Sequence, residues 1–473
     1  MTARPPLPVG FRVDLDPATL RLTGDLWFGG SPARILRLTA AGQALWQRLE
    51  SGTVTSRAEG ILARRMTDEG LAHPLPPEPA TTPAITVVVP VRGRPEMLDR
   101  CLTGLGDRHP VIVVDDATTD PRVVAGVAAR HGATLVRRDI NGGPAAARNT
   151  GLRHVTTELV ALVDSDCRPV HGWLEQLAAH FADPLVAVAA PRVVAAGDGP
   201  CALDMGDRPA RVVARTPVPY VPTAALLART SALRQMERDG DVFEVALRPG
   251  EDVDLVWRLH RAGWLVRYDP SVRVAHEEPA TRAALLARRF HYGTSVAPLA
   301  VRHPGAMSPL ELHPWPALTV AGLLARRPTL AGAAFTASVF AMLRTLRKAG
   351  VPEAGTVPAM AEAVRQTWLG TGRYATRFAS PLLAAVLVAP GGRTPARRWG
   401  RRLAAASLLL GPALTAWLPR RSSTGPVRFV ADSIADDIAY GAGVWAGCLR
   451  ERTTEPLRPV INRHPLRDER PTR

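Results

Sequence analysis

The chain has 473 residues with a formal net charge of +16, and 46% of them are hydrophobic. This length predicts two to four domains, and the hydrophobic content excludes general disorder. The positive charge fits an anionic partner such as nucleotide phosphates, nucleic acid or an acidic membrane surface, but Lys348 is the only lysine, and an arginine-rich bias also follows from GC-rich coding DNA.

The cysteines indicate a reducing environment. Cys101, Cys167, Cys201 and Cys448 are scattered without paired spacing, so the sequence suggests neither a zinc site nor a disulfide framework. A cytoplasmic setting fits best. The first ten residues contain no apolar stretch of signal-peptide length, and we do not expect export by that route.

Residues 1–76 are predicted to form a small separate module. Apolar stretches around 13–22 and 26–28 are typical of strands, and Thr39 can cap a helix that Gly52 ends, before a second helix carrying Ile61, Leu62 and Met66. Strands with two short helices suggest a winged-helix-like module. A packing appendage and a nucleic-acid-binding wing remain alternatives. Proline-rich residues from Pro74 predict a linker over 77–83.

From Ala84 the pattern alternates between strands and helices. The strand 85–89 is predicted to stop at Pro90, a helix covers 95–105, and further strands precede Asp115 and Arg138. This order predicts an α/β domain over 84–280 with a doubly wound, mostly parallel sheet. Ligands of such sheets bind beyond the carboxyl ends of the strands.

Polar residues follow successive strands of this sheet. Asp115 and Asp116 end one strand, where a carboxylate can grip a nucleotide base or ribose. The segment Asn141–Gly151 is neither a Walker loop nor a dinucleotide fingerprint. It combines Gly142 and Gly143, which permit close backbone approach, with Arg148, which suits a phosphate or a structural carboxylate. The buried strand from Glu158 then delivers Asp164 and Asp166, a pair suited to a metal.

These motifs together resemble family 2 glycosyltransferases over residues 84–276, continuing through Trp173 and Glu251-Asp252 to His276. The resemblance implies a GT-A fold, a UDP- or GDP-sugar donor, a divalent metal (Mg²⁺ or Mn²⁺) and inversion at the anomeric carbon. It also implies roles for individual residues, assigned by motif. Nucleotide-sugar contacts are expected from Pro90, Asp115, Asp116, Asn141, Gly142, Gly143, Arg148 and Asp164, metal ligation from Asp166 and His276, and catalysis from Asp252 with Glu251.

The acceptor side is expected on the helix that begins at Glu251. The resemblance implies Asp252 as the general base, although carboxylates at a helix N-terminus are also explained by the macrodipole. Trp173, Trp257 and Arg258 are expected near the acceptor. The chain lacks the Gln-x-x-Arg-Trp motif of processive synthases, which argues against a cellulose- or chitin-synthase-like polymerase.

Residues 281–450 are predicted to be helical. The longest apolar runs, 329–343 and 403–418, are shorter than the roughly 18–20 residues that span a bilayer. Arginines flank the second run. The pattern fits an interfacial or re-entrant membrane segment slightly better than a buried helical core. Residues 451–473 are expected to form a flexible tail.

The order of the three regions gives a narrower resemblance, to glycosyltransferases of mycofactocin systems, carried by segments 10–16 and 29–39. It implies UDP-glucose as donor and a peptide-derived premycofactocin as acceptor, extended by a short β-1,4-glucan. The module also resembles winged-helix modules that bind leader peptides. Two alternatives stay open: a membrane-associated family 2 enzyme of cell-wall or lipid-linked glycans, and a basic nucleic-acid-binding protein with a degenerate transferase domain.

Overall fold

The computed structural model describes residues 4–31, 33–78, 81–197, 199, 201–350, 353–389, 394–421 and 425–462. The chain divides into two compact units, Met1–Pro279 and Ala280–Arg473. The division falls beside residue 280, the predicted end of the α/β domain, which is named the catalytic domain below after its predicted role. The first unit contains both the N-terminal module and the catalytic domain.

The N-terminal module combines two small sheets with two helices. Its elements are β1 (Arg12–Leu15), β2 (Leu20–Arg21), β3 (Leu26–Gly29), β4 (Arg34–Arg37), α1 (Ala40–Ser51), α2 (Arg57–Asp68) and β5 (Ala72–Leu75). Strands β2, β3 and β4 form one antiparallel sheet, and β1 pairs with β5. Pro74 lies in β5, so the predicted linker composition begins inside a strand. In the core, the Trp27 and Trp46 rings meet edge to face at 5.5 Å.

A buried ion pair joins the module to the catalytic domain. Arg64 on α2 donates from both terminal nitrogens to the two carboxylate oxygens of Asp183, each at 2.8 Å. Both side chains are buried. Because removing one partner of such a pair leaves a buried charge uncompensated, this contact holds the module against the catalytic domain.

The catalytic domain contains a sheet of nine strands flanked by helices. Its elements in chain order are β6 (Ile85–Val91), α3 (Pro95–Leu105), β7 (Val111–Asp116), α4 (Pro121–Arg130), β8 (Thr134–Arg138), α5 (Gly143–Leu152), β9 (Leu159–Val163), β10 (Cys167–Arg168), α6 (Trp173–Ala178), β11 (Val186–Ala195), β12 (Ala210–Arg211), β13 (Ala225–Arg229), α7 (Thr230–Gln235), α8 (Glu251–Arg261) and β14 (Leu265–His276).

The strand order is β10-β14-β11-β13-β9-β6-β7-β8, with β12 paired to β14. Strands β6, β7, β8 and β9 are all parallel to one another, whereas β13 is antiparallel to both β9 and β11. Strand β14 is parallel to β11 and therefore runs in the same direction as β9. As a result, the carboxyl ends of β7, β9 and β14 lie along one edge of the sheet, which is the edge where we expect the ligand.

Pro90 does not end its strand, contrary to prediction. Strand β6 continues to Val91, and Pro90 is buried within it, opposite Val114 of β7. Proline lacks an N–H group and is disfavoured in central strands. It is tolerated here because pairing with β9 stops at Val88, so the missing donor falls beyond the last paired residue on that side.

The second unit is mainly helical. Its elements are α9 (Arg282–Thr294), α10 (Val296–Arg302), β15 (Glu311–Leu312), α11 (Pro314–Leu324), α12 (Pro328–Ala349), α13 (Thr356–Val388), α14 (Pro395–Trp417), α15 (Pro426–Glu451) and β16 (Val460–Ile461). Helix α13 is kinked at Ala379, two residues before Pro381, where proline removes a backbone hydrogen bond.

Small residues form the contacts between these helices. A methyl group added to Gly322 on α11 would lie 2.9 Å from the backbone nitrogen of Ala331 on α12. Methyl groups on Gly443 and Gly293 would overlap backbone carbonyls of the partner helices α9 and α15. Two small clusters that include Val444, Leu383 and Leu408 are buried between helices, but many large apolar side chains face outward. Examples with 60% or more of their surface exposed are Phe340 (66%), Leu382 (69%), Trp399 (63%), Leu403 (65%) and Leu449 (76%).

The helices that contain the two apolar runs are longer than the runs themselves predicted. Helix α12 has 22 residues, and its segment Pro328–Lys348 is long and apolar enough to cross a membrane, the one such helix among the described residues. The apolar run 329–343 is shorter than the helix, because Arg344 interrupts the apolar sequence but not the helix. Helix α14 likewise continues through Pro412 for 23 residues.

The predicted tail is partly ordered. Residues Glu455–Leu457 form a 3₁₀ turn, and β16 pairs in parallel with β15. The Tyr374 hydroxyl donates to the carbonyl of Leu457 at 2.7 Å. Local polarity predicted fraying, but packing against α13 stabilises this segment. Residues 463–473 lie outside the described part of the chain.

Candidate active site

Asp115 lies at the carboxyl end of β7, fully buried. Its Oδ1 accepts a hydrogen bond from the Thr118 backbone N–H at 2.9 Å, and its Oδ2 accepts from Arg137. Arg137 is opposite Asp115 in the parallel register of β8. The carboxylate therefore holds the β7–α4 turn at the edge of the sheet.

Asp116 binds the start of helix α5. Its carboxylate accepts from the backbone N–H groups of Gly142 at 2.9 Å and Gly143 at 2.6 Å, and from Nε of Arg138 at 2.9 Å. The Asn141 side-chain oxygen accepts from Gly143 N–H at 3.0 Å. Gly143 has a φ of +79°, which favours glycine. Asp116 thus fixes the glycine loop that was expected near the donor.

Arg148 connects the two halves of the predicted site. It is 2% exposed and donates to Asp164 Oδ1 at 2.6 Å and to Glu251 Oε1 at 2.8 Å. The sequence left open whether Arg148 binds a phosphate or a structural carboxylate, and the structure shows it bound to two carboxylates. Burial opposes its charge, but Asp164 and Glu251 raise the pKa of Arg148 above its usual value. The cation therefore joins the end of β9 to the start of α8.

Asp252 lies beside this cluster, partly buried at the start of α8. Its Oδ1 accepts from the Val253 N–H at 2.8 Å. Burial and the negative charge of Glu251 raise the pKa of Asp252 to about 7, against the lowering effect of Arg148. A carboxylate with a pKa near neutrality is a competent general base at physiological pH.

Asp166 and His276 come together where β9 and β14 end. The His276 Nε2 lies 3.6 Å from Asp166 Oδ1, and β10 pairs Cys167 directly with His276. On the other side of the ring, Nδ1 lies 3.2 Å from Glu278 Oε1. When Glu278 accepts the Nδ1–H, the lone pair of Nε2 points towards Asp166.

This donor set fits a divalent cation. An ion with ligand bonds of about 2.1 Å separates adjacent ligand atoms by about 3 Å, so the 3.6 Å between Asp166 Oδ1 and His276 Nε2 needs little closing. Asp164, with 30% of its side chain exposed, stands two residues away. Carboxylate oxygen suits Mg²⁺ or Mn²⁺, and the imidazole nitrogen is a better ligand for a transition metal such as Mn²⁺ than for Mg²⁺.

The three predicted acceptor-side residues are buried and contact other parts of the domain. Trp173 is 2% exposed and belongs to the hydrophobic core of the domain. Arg258 donates to Asp254 and to the carbonyls of Met236 and Val242 at 2.6–2.7 Å, which anchors the 236–242 loop. Trp257 is 5% exposed, and its indole donates to the Pro219 carbonyl at 2.9 Å. These side chains shape the fold behind the site.

Several residues that sequence reasoning did not single out contact the predicted site residues. Arg137 and Arg138 end β8 and could have been found by the same strand-end rule that singled out Asp115 and Asp116. Glu278 follows His276 by two residues, but no motif marked it. Arg248 lies against Gly143, whose added methyl group would be 2.8 Å from the guanidinium carbon; nothing in the local sequence indicated that contact.

Comparison with known proteins supports a sugar-transfer reaction. Residues 86–216 match the family described as Glycosyl transferase family 2. A pre-mycofactocin glycosyltransferase of Mycobacterium tuberculosis is 38% identical over 487 residues, covering 96% of this chain and 98% of the relative. An uncharacterised glycosyltransferase of Mycobacterium bovis is 32% identical over 187 residues, covering 39% of this chain and 82% of the relative.

A solved structure is also similar: a mannosyltransferase from Pyrobaculum calidifontis in complex with GDP-mannose and Mn²⁺. Its TM-score is 0.42 at 19% identity, covering 77% of this chain and 89% of that chain. The family match and the mixed, mostly parallel sheet confirm the predicted GT-A fold class. They also confirm the prediction of a nucleotide-sugar-dependent glycosyltransferase.

Proposed function

This chain belongs to the pre-mycofactocin glycosyltransferases, and from that premise we propose that it moves glucose from UDP-glucose onto a hydroxyl of premycofactocin. The transfer proceeds by one in-line displacement with inversion and builds a short β-1,4-glucan. The observation that carries the proposed reaction is the placement of Asp252 at the start of α8, next to the Glu251–Arg148–Asp164 chain. Burial and the charge of Glu251 raise the pKa of this carboxyl group to about 7.

Asp252 acts as the general base. In its charged form it accepts the proton of the attacking hydroxyl as that oxygen bonds to the anomeric carbon. Glu251 does not compete for this role, because Arg148 binds its Oε1 at 2.8 Å. Glu251 instead raises the pKa of Asp252 through its charge. A higher pKa makes Asp252 a stronger proton acceptor while half of it is still charged near pH 7.

The donor binds along the ends of β7, α5 and β9. Asp116 and Asn141 order the backbone of the Gly142-Gly143 turn through three hydrogen bonds of 2.6–3.0 Å. An ordered turn presents the start of helix α5 to the nucleotide without loss of conformational entropy on binding. Asp164 is held by Arg148 at 2.6 Å while 30% of its side chain remains exposed, which suits a contact to the ribose.

A divalent cation fits between Asp166 and His276, where it would neutralise charge that develops on the departing nucleotide diphosphate. Glu278 orients His276 for this role by accepting the Nδ1–H at 3.2 Å. Such carboxylate–histidine pairs fix the tautomer and raise the basicity of a ligand.

We further propose that the N-terminal module recruits the precursor peptide. The module is fixed to the catalytic domain by the buried Arg64–Asp183 pair, so a peptide bound to it would stay near the active site. Titrating the full chain with the fluorescently labelled precursor tests this. We expect saturable binding below about 100 µM that a scrambled peptide lacks, and no binding at that concentration would refute recruitment.

We also propose attachment to the inner face of the cell membrane through the second unit. Its helices pack through small residues and expose large apolar ones, an arrangement typical of helices that face lipid. Arg326 and Arg327 precede helix α12, and Arg344, Arg347 and Lys348 end it. Basic residues at both ends of an apolar segment favour contact with anionic lipid. The same surface favours a lipid-linked acceptor as the second candidate function.

The test is turnover of a panel of UDP- and GDP-sugars by purified protein with Mg²⁺ or Mn²⁺, using premycofactocin and a lipid-linked acceptor in parallel. We expect glucose transfer from UDP-glucose to premycofactocin. Turnover of the lipid-linked acceptor alone would favour the second candidate. Failure to transfer from every donor would refute the proposed reaction.

A further inference from the structure

His276 also belongs to a second group of side chains that could bind a metal ion. One ligand atom each from Cys201, His276 and Glu278 lies within 4.8 Å of the other two. Cys201 follows strand β11, and the other two residues end β14 and begin the segment after it. His276 is 3% exposed, and Cys201 and Glu278 are partly buried. Within the described ranges, this is the one cluster of three such residues.

The three ligand types match a borderline-soft cation. Zn²⁺ binds thiolate at about 2.3 Å, imidazole at about 2.0 Å and carboxylate at about 2.1 Å, usually in a tetrahedron. Such geometry separates the ligand atoms by about 3.3–3.8 Å, so the observed 4.8 Å limit leaves about one ångström of side-chain movement. Thiolate selects zinc over magnesium or manganese. Water can complete the fourth position.

His276 belongs to both metal positions. Its Nε2 faces Asp166 at 3.6 Å, while its Nδ1 faces Glu278 at 3.2 Å. A neutral imidazole carries one lone pair and one N–H, so only one of its nitrogens can bind a metal at a time. Glu278 favours the tautomer whose lone pair is on Nε2. A metal on Nδ1 requires the opposite tautomer.

We propose that Cys201, His276 and Glu278 form an inhibitory Zn²⁺ site that removes His276 from the catalytic cation. On binding, the Cys201 thiol releases its proton to solvent as sulfur bonds to zinc. The histidine keeps one proton, which moves from Nδ1 to Nε2 and then points at Asp166. The catalytic side thereby loses its nitrogen ligand. This inference rests on the proposed role of His276 in holding the catalytic cation.

Metal binding itself gives the first test, and it does not depend on sugar transfer. Co²⁺ added to the full chain in excess Mg²⁺ should produce a thiolate-to-cobalt charge-transfer absorption, and Zn²⁺ should abolish it. Cys201→Ser should lose this band, because a hydroxyl is a poor ligand for these ions. Cys448→Ala is the matched control and should keep it, since Cys448 belongs to no ligand cluster among the described residues.

Inhibition gives the second test. Zn²⁺ should inhibit Mg²⁺-supported transfer in the wild type, and Cys201→Ser should raise the half-inhibitory zinc concentration at least tenfold. Without zinc, the variant should keep kcat/KM within about twofold of the wild type. An unchanged half-inhibitory concentration overturns the proposal, and so does a cobalt band that survives in Cys201→Ser.

The two tests separate this inference from the proposed function. If no donor is turned over but the cobalt band depends on Cys201, the reaction is wrong and the zinc site is right. If transfer occurs with no thiolate–cobalt band, the zinc site is wrong and the reaction stands. A thiolate band with no zinc inhibition refutes the competition for His276.

Discussion

The edge of the catalytic sheet and the helical second unit use opposite rules of packing. Beneath the sheet edge, large apolar side chains fill the core of the catalytic domain. The charged side chains just beyond the strand ends are paired with one another, as Arg148 is with Asp164 and Glu251. In the second unit, glycine residues lie at the closest helix contacts, while Phe340 and Leu403 face outward. The first arrangement positions chemistry, whereas the second suits a non-aqueous neighbour.

This difference changes what a substitution is expected to do. At the edge of the catalytic sheet, removing one charged side chain leaves its partners buried without a counter-charge. Both activity and stability are therefore expected to fall. In the second unit, loss of an outward apolar side chain costs little stability, because that side chain is not buried. Added volume at a helix contact costs much more, since backbones touch there.

Substitution of Asp252 has the largest expected effect. Asp252→Asn keeps the shape of the side chain but cannot accept a proton, and kcat should fall by about 10²–10⁴-fold. Initial-rate assays with UDP-glucose check this. Activity within tenfold of the wild type would exclude Asp252 as the base.

The same variant has an opposite effect on stability. The folded-state pKa of Asp252, about 7, lies above its ordinary value of 3.8. The folded protein therefore binds more protons than the unfolded chain between these values, and stability declines as pH rises through that window. Asp252→Asn should raise Tm at pH 8 and leave it unchanged at pH 4. A lower Tm at pH 8 would contradict the raised pKa.

Loss of the Arg148 cation should damage both halves of the catalytic edge. Arg148→Met leaves Asp164 and Glu251 without their shared partner and should lower the free energy of unfolding by about 3–5 kcal/mol. Arg64→Met removes a comparable buried pair at the module boundary and serves as control. Both should lose stability in denaturant unfolding. Only Arg148→Met should also lose activity per folded molecule, and equal losses in the two variants would remove Arg148 from the site.

Added volume between helices tests the packing of the second unit. A side chain at Gly443 would overlap the Phe290 carbonyl, so Gly443→Leu should cost about 1–3 kcal/mol of stability. Gly332→Ala is the control, because a methyl group there meets nothing within 4 Å. That substitution should stabilise helix α12 by up to about 1 kcal/mol. Thermal unfolding compares them, and equal effects would argue against close helix contacts.

The smallest effect on stability is expected at the exposed apolar surface. Phe340 is 66% exposed, so Phe340→Ser should change the unfolding free energy by no more than about 0.5 kcal/mol. It should nevertheless weaken co-sedimentation with vesicles containing anionic lipid. Unchanged sedimentation of Phe340→Ser together with a large loss of stability would indicate a core position instead of a lipid-facing one.

Sequence patterns were informative where one element carried the signal. Buried strands that end in carboxylates predicted that Asp115, Asp116, Asp164 and Asp166 share one edge of the sheet, because strand direction and sheet class follow from alternating elements. The strand order agrees with this. The pairing of Arg137 with Asp115 depends on the register between β7 and β8, which no local pattern encodes. Trp173 lies in the core, and its motif position could not reveal whether its side chain faces a ligand or the core.

The second unit was harder to predict for a similar reason. Periodicity identifies apolar helices but does not tell which of their faces packs against neighbours. In the sequence, the small and large apolar residues of α15 form one apolar segment. Only the contacts of its glycines with α9 show which face of the helix is packed. Likewise, Cys201 lies far in sequence from His276 and Glu278, so the spacing of the cysteines did not predict that these three residues cluster.

The pH dependence of kcat/KM tests the central claim most directly. A base with a pKa of about 7 predicts a rate that is low in acid, rises tenfold per pH unit below the pKa, and reaches half its maximum near pH 7. The Asp252→Asn variant should lack this limb. A wild-type profile half-maximal below pH 5, or a limb near pH 7 that persists in Asp252→Asn, would contradict the assignment of Asp252 as the base held beside Arg148.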